Sequence, residues 1–137
     1  MRYVLDTNIV AASFNGHPGV FGRLNRTLRR DRIFLPAMAL AELRFGAFNS
    51  RRISENLARI DQALSVLTLA PVNRPIADRF GAIKADLRRR GITKSDADLL
   101  IAATALEIGA TLVTNDGDLQ DGAINALKVE DWMAPLS

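Results

Sequence analysis

Ser95-Asp-Ala-Asp98-Leu-Leu-Ile-Ala-Ala-Thr-Ala-Leu106-Glu-Ile-Gly109-Ala-Thr111-Leu-Val-Thr114-Asn-Asp116 reads as a capped helix, a stop, a strand and an acid. Ser95 is a helix N-cap type, and the run behind Asp98 is apolar for a full two turns, so a helix is expected over 96–108. Gly109 suits the left-handed residue that ends helices. Thr111-Leu-Val-Thr114 is then a short strand, and Asn115-Asp116-Gly117-Asp118 a turn. Strands this short and this apolar belong in parallel sheets, which are buried on both faces.

The same grammar runs outward along the chain. Residues 2–5 form an apolar strand, after which Asp6-Thr7-Asn8 can cap a helix starting near Ile9. Asn15 to Gly19 is a loop, followed by a helix over 20–30 with Val20, Phe21, Leu24 and Leu28 on one face. Ile33 to Leu35 is a strand, and Pro36 opens a helix over 37–48. Further helices are expected over 54–66 and from Pro75 to Arg90, with a strand at 67–69 between them and Gly91 as the stop. A last strand falls at 126–129. Strands alternating with helices predict one α/β domain over residues 1–137, with a central, mainly parallel sheet and helices on both faces. Ligands in such folds gather at the carboxyl ends of the strands.

Composition removes several chemistries. The chain has 137 residues, no cysteine and one histidine, so disulfides and thiolate–metal sites are excluded and a zinc site is not expected. His17 lies in a Gly/Pro loop and reads as solvated. There is no Gly-rich phosphate loop with its lysine, no Gly-x-Ser-x-Gly elbow, and no apolar run near the ~20 residues that span a bilayer. Met1-Arg2-Tyr3-Val4-Leu5-Asp6 is not expected to act as a signal peptide, because an acid interrupts the apolar stretch at once. The expected location is cytoplasmic. Of the eighteen basic residues fifteen are arginine. They cluster at Arg23, Arg26, Arg29, Arg30 and Arg32, at Arg51 and Arg52, and at Arg88, Arg89 and Arg90. Such clusters fit nucleic-acid phosphates or a solvated helix face equally.

What remains is carboxylates in unusual places. Glu42 follows five apolar residues, Ala37 to Ala41, on a helix expected to be buried all round. A carboxylate there needs either a cationic partner such as Arg44 or a metal. Asp98 heads the apolar helix already described, and Ser95-x-x-Asp98 also matches a capping box. Asp96, at the first helical position, suits the helix dipole. Asp6 and Asp116 each follow a buried strand, where caps and turns also use aspartate. In a parallel sheet those strand ends fall on one edge, so the four acids can converge. Convergent carboxylates repel unless a cation neutralises them. An all-oxygen set selects Mg²⁺ or Mn²⁺ over zinc, and such a site suits phosphoryl transfer or phosphodiester hydrolysis.

Four stretches, in this order, resemble the motifs of the PIN-domain family, and most closely its VapC toxin branch: Tyr3-Val-Leu-Asp6-Thr7-Asn8, Ala37-Met-Ala-Leu-Ala-Glu42-Leu-Arg-Phe-Gly46, Asp98-Leu-Leu-Ile-Ala-Ala-Thr-Ala, and Leu112-Val-Thr114-Asn115-Asp116. The resemblance implies a PIN-like fold and a metal-dependent endoribonuclease cutting transfer or ribosomal RNA. It implies that Asp6, Glu42, Asp98 and Asp116 are the metal-binding catalytic acids, with Thr7, Asn8 and Thr114 in support. Asp118 can share the fourth position, and Asp96 serves as a cap or outer acid. A homodimer is also implied, as is a cognate antitoxin seated in a groove walled by residues 37–67, and a larger complex of the two.

Other classes fit less well. Aspartyl-phosphate phosphatases show Asp-x-Asp after the first strand, where this chain has Asp6-Thr7-Asn8. A receiver domain needs early paired acids and a lysine after a late strand, which Lys128 does not match. A non-catalytic RNA- or partner-binding module has no use for the full acid set.

Overall fold

The computed structural model describes residues 1–135. β1 (Arg2–Leu5) leads into α1 (Thr7–Phe14) and α2 (Pro18–Leu28), and β2 (Arg32–Pro36) into α3 (Ala37–Phe48) and α4 (Ile53–Leu64). β3 (Thr68–Ala70) precedes α5 (Arg74–Arg89) and α6 (Asp96–Ile108); β4 (Thr111–Val113), α7 (Gly117–Gln120) and β5 (Val129–Glu130) follow. The strands form one sheet in the order β3-β2-β1-β4-β5, with every pairing parallel. The α/β expectation holds, and the sheet is wholly parallel among the described residues.

β4 is buried along its whole length, and β1 and β2 are largely buried beyond their exposed first residues. Val4, Leu5, Ile33, Leu35, Leu112 and Val113 are all essentially inaccessible, which is how parallel strands covered by helices satisfy the hydrophobic effect. α6 lies within this core, burying Leu99 and the run Ile101 to Ala105, as its apolar sequence predicts. Gly109 ends it at φ +73°, a conformation that strains any residue with a Cβ. No helix among the described residues is long and apolar enough to cross a membrane.

The strand order positions the site. From β1 the chain winds outward to β2 and β3, then returns across the sheet to lay down β4 and β5. Connections therefore leave β1 and β4 in opposite directions, and a crevice opens at their carboxyl ends.

Several expectations need correction. α3 is not buried all round. It buries only the stripe Ala39, Leu43 and Ala47, while Phe45 and Phe48 are 71% and 61% exposed. Met38 and Leu40 are partly buried against the core, and the rings of Phe45 and Phe48 are left in water. α2 begins at Pro18 rather than Val20, because proline suits the first turn and His17 Nδ1 accepts from the Val20 backbone N–H at 3.2 Å. His17 is thus a half-buried cap, not a solvated loop residue. The turn at 115–118 runs into a single helical turn, α7. The last strand is at 129–130 rather than 126–129, since Ala126 has φ +66°, which is incompatible with extended backbone.

Candidate active site

The site begins with register. Leu5 pairs with Val113, and the Asp6 N–H continues the ladder to the Val113 carbonyl at 2.9 Å. Asp6 and Thr114 therefore leave the sheet side by side, at the switch between β1 and β4. Both are buried. The Thr114 hydroxyl donates to Asp6 Oδ2 at 2.7 Å and accepts the Asp116 N–H at 3.0 Å. The Thr7 N–H donates to Asp6 Oδ1 at 2.8 Å, so Asp6 is also the N-cap of α1. One threonine thereby fixes both strand-end acids.

Glu42 arrives from the other side. β2 lies beside β1 and feeds α3, and the Thr7 hydroxyl donates to Glu42 Oε1 at 2.6 Å. Arg44 is not its partner: that guanidinium pairs with Asp61 at 2.7 Å. Asp98 sits in the first turn of α6, where its N–H donates to Ser95 Oγ at 3.1 Å. The cap is made through the backbone of Asp98. Its carboxylate meets those of Asp116 and Asp118, with one oxygen from each lying within 4.8 Å of the others. Asp116 also caps α7, accepting from the Asp118 N–H at 2.9 Å.

These contacts decide how each candidate is placed. Asp98, Asp116 and Asp118 form one tight group, so the acid expected to share the fourth position is in it. Asp6 and Glu42 lie alongside, held by Thr114 and Thr7. Asn8 is exposed. Asp96 points away, pairing with Lys84 at 2.8 Å.

Charge accumulates here. Burial pushes the Asp6 carboxyl above the usual carboxylate range; hydrogen bonds from Thr114 and Thr7 oppose this, and the nearby Glu42 and Asp116 add to it. Burial likewise raises Asp98, followed by repulsion from Asp116, with a hydrogen bond from the Ser95 side chain opposing. Among the described residues none of Asp6, Glu42, Asp98, Asp116 or Asp118 has an ion-pair partner. Five oxygen-donor side chains without a cation fit a hard divalent ion.

Two residues at the site escaped sequence reasoning. Gln120 Nε2 donates to the Thr114 carbonyl at 2.9 Å, and Lys94 bonds the α7 region. Reading 115–118 as a turn hid both, because Gln120 is placed only by the α7 turn. The arginine clusters also separate. Arg2 and Arg32 pair in register at the amino ends of β1 and β2, so the Arg29–Arg32 group lies at the edge away from the acids. α5 runs antiparallel to α6, as Arg79–Glu107 and Lys84–Asp96 show. Arg88 and Arg89 consequently end α5 near the start of α6, and both are exposed.

Known proteins share this fold. Over residues 3–125 the chain matches the PIN domain. It is 34% identical over 134 residues to "Ribonuclease VapC2" of Haemophilus influenzae, covering 97% of this chain and 99% of the relative. To the "tRNA(fMet)-specific endonuclease VapC" of Shigella flexneri it is 30% identical over 133 residues, 96% and 98% of the two chains. The structure of VapBC2 from Rickettsia felis, bound to a promoter DNA fragment, superposes with a TM-score of 0.89 at 30% identity, covering 96% of this chain and 99% of that one. With the family match spanning nearly the whole described fold, the chain belongs to the PIN domain family.

Proposed function

We infer that this chain is a metal-dependent endoribonuclease of the VapC type, a single PIN domain acting as the toxin of a toxin–antitoxin pair and hydrolysing phosphodiester bonds in RNA. The observation that carries the reading is the unpaired acid group at the switch between β1 and β4. The names of its relatives supply the substrate class: ribonuclease, and in two cases an endonuclease for a transfer RNA. Transfer RNA, or ribosomal RNA, is the substrate of this reading.

Asp98, Asp116 and Asp118 would hold the ion, Mg²⁺ or Mn²⁺, with Asp6 and Glu42 completing the acid set. The ion supplies positive charge against the scissile phosphate and acidifies water beside it. The chain's own residues do the rest. Thr114 holds Asp6 and the Asp116 backbone in fixed relation, and Thr7 holds Glu42. Arg88 and Arg89 stand where they can grip flanking phosphates. In-line attack by water leaves a 5′-phosphate and a 3′-hydroxyl, and a 2′,3′-cyclic phosphate product would defeat this mechanism.

The partner of this reading is an antitoxin protein in the same compartment, the cytoplasm, and the toxin itself is a homodimer that can join a larger complex. An apolar groove lined by Ala11, Phe14, Leu43, Ala47 and Ile60 opens onto Thr7 and Glu42. A helix with apolar side chains seated there would cover the acid set from one side. The test is cleavage of total cellular RNA by purified, antitoxin-free protein with Mg²⁺ or Mn²⁺, beside EDTA and Asp98→Asn controls. Discrete fragments lost in both controls are expected; cleavage that survives Asp98→Asn refutes the site.

A further inference from the structure

The side chain of Lys94 is only 3% exposed, whereas the other lysine and arginine side chains in ion pairs are 32% exposed or more. An enclosed ammonium needs acceptors for its N–H donors. Lys94 has two, the Asp118 carbonyl oxygen and Asp121 Oδ2 at 2.7 Å. Asp118 lies in α7 and Asp121 ends it.

The other end of this side chain is as telling. Lys94 immediately precedes Ser95, whose hydroxyl caps α6 through the Asp98 N–H. Its backbone therefore belongs to the segment that aims Asp98, while its head belongs to the turn that carries Asp116 and Asp118. Those three carboxylates come from two elements and repel one another across a gap of 4.8 Å or less. α7 is a single turn and has little stability of its own. Thr114 and Gln120 tie it to β4; Lys94 ties it to the start of α6.

We propose that Lys94 is a positioning residue whose buried ammonium clamps α7 to the head of α6, setting the distance from Asp98 to Asp116 and Asp118 at which a divalent cation is bound. This rests on the reading that the three carboxylates take such an ion. Lys94 does not touch RNA, because its charge is enclosed.

The full-length, antitoxin-free protein tests it by Mn²⁺ calorimetry and amide hydrogen exchange, with RNA cleavage alongside. Lys94→Met keeps the stem and removes the charge. It should raise the Mn²⁺ Kd about tenfold or more, the usual effect of losing a residue that orients a metal ligand. Exchange at the Asp118, Leu119 and Gln120 amides should quicken while the α6 interior stays protected. Lys94→Arg should recover most of the Mn²⁺ affinity. In cleavage kcat should fall with KM for RNA unchanged, whereas a phosphate-binding lysine would raise KM. If Lys94→Met does not fold, Asp121→Asn, altered on the exposed partner, should still weaken Mn²⁺ several-fold.

Wild-type Mn²⁺ affinity in a folded Lys94→Met protein, or in Asp121→Asn if that is the variant that folds, overturns the clamp. The two readings fail differently. Binding lost in Asp98→Asn but untouched in Lys94→Met removes only the role of Lys94. A wild-type protein that takes up no Mn²⁺, like Asp98→Asn, removes the metal reading beneath it.

Discussion

Thr114→Val tests the hinge of the site. The hydroxyl is fully buried, donates to Asp6 Oδ2 at 2.7 Å and accepts the Asp116 N–H at 3.0 Å. Valine has nearly the same shape, so no cavity opens. What is lost is a hydrogen bond to a charged, buried carboxylate, about 1.5–3 kcal/mol. The stranded Asp116 N–H adds about 1 kcal/mol, less where water reaches it. Together these give about 2–4 kcal/mol at neutral pH, or roughly 6–16 °C in Tm for a domain of this size. Thr114→Ser keeps the hydroxyl and should cost only about 1 kcal/mol for the missing methyl. The assay is urea unfolding of metal-free protein at several pH values. Because the lost bond favours ionised Asp6, the penalty should shrink as pH falls through the folded-state pKa of Asp6 and the carboxyl becomes neutral. A Val variant within about 0.5 kcal/mol of wild type, the range of an ordinary surface substitution, or a penalty that grows in acid, would refute the reasoning.

Other consequences follow from the same contacts. Asp6 and Asp98 have raised folded-state pKa values, so they bind protons more tightly folded than unfolded. Their stabilising contribution is complete below the unfolded pKa and is lost as pH rises through the folded one. Relative to an Asp6→Asn/Asp98→Asn double variant, metal-free wild type should therefore lose stability from acid towards neutral pH in paired unfolding titrations. Mn²⁺ should raise Tm at pH 7, by about 2.7 kcal/mol of stability at a hundredfold excess over Kd, and do little at pH 4; an equal shift at both would contradict carboxylate ligation. Arg88→Ala/Arg89→Ala should raise KM for RNA and flatten its salt dependence, with Arg29→Ala/Arg30→Ala as the silent pair; equal effects from both would show that the acid-side placement is irrelevant. Phe45→Ser/Phe48→Ser should leave the Tm of the isolated chain nearly unchanged, because both rings are already in water, and should weaken the antitoxin complex in a titration; unchanged affinity would place the partner elsewhere.

Much of this was legible because strand ends and helix heads have strong local rules. Asp6 and Asp116 could be placed on one edge from the period of short apolar strands alone. Yet Asp6 also read as a cap and Asp116 as a turn residue, and the structure shows why no choice was needed: Asp6 caps α1 while lying beside the acid group, and Asp116 caps α7 while belonging to it. Asp98 is similar, since its backbone N–H makes the cap and leaves its carboxylate to the site. That Asp118 can share the fourth position was legible; that it groups with Asp98 and Asp116 more tightly than Glu42 does was not. Whether Asp118 or Glu42 lies within reach of Asp98 depends on a single helical turn and on one buried lysine, contacts between segments far apart in sequence. Local propensity carries no information on these.

α3 and α6 expose a different limit. Both are apolar nearly all round, and periodicity reads both as buried helices, but only α6 is enclosed. Hydrophobic patterning reports that a surface leaves water, not which chain covers it. The bare rings of Phe45 and Phe48 and the uncompensated charge at Asp6 and Asp98 then have a common consequence. The isolated, metal-free chain keeps apolar surface in water and carboxylates out of it, each at a cost to stability. An ion relieves the second, a protein partner the first, and each binds only the folded chain. If the apolar groove beside Glu42 takes the partner, the two relieving events meet on α3. Antitoxin affinity measured with and without Mn²⁺ should then differ, and by linkage Mn²⁺ affinity must shift by the same factor when antitoxin is bound.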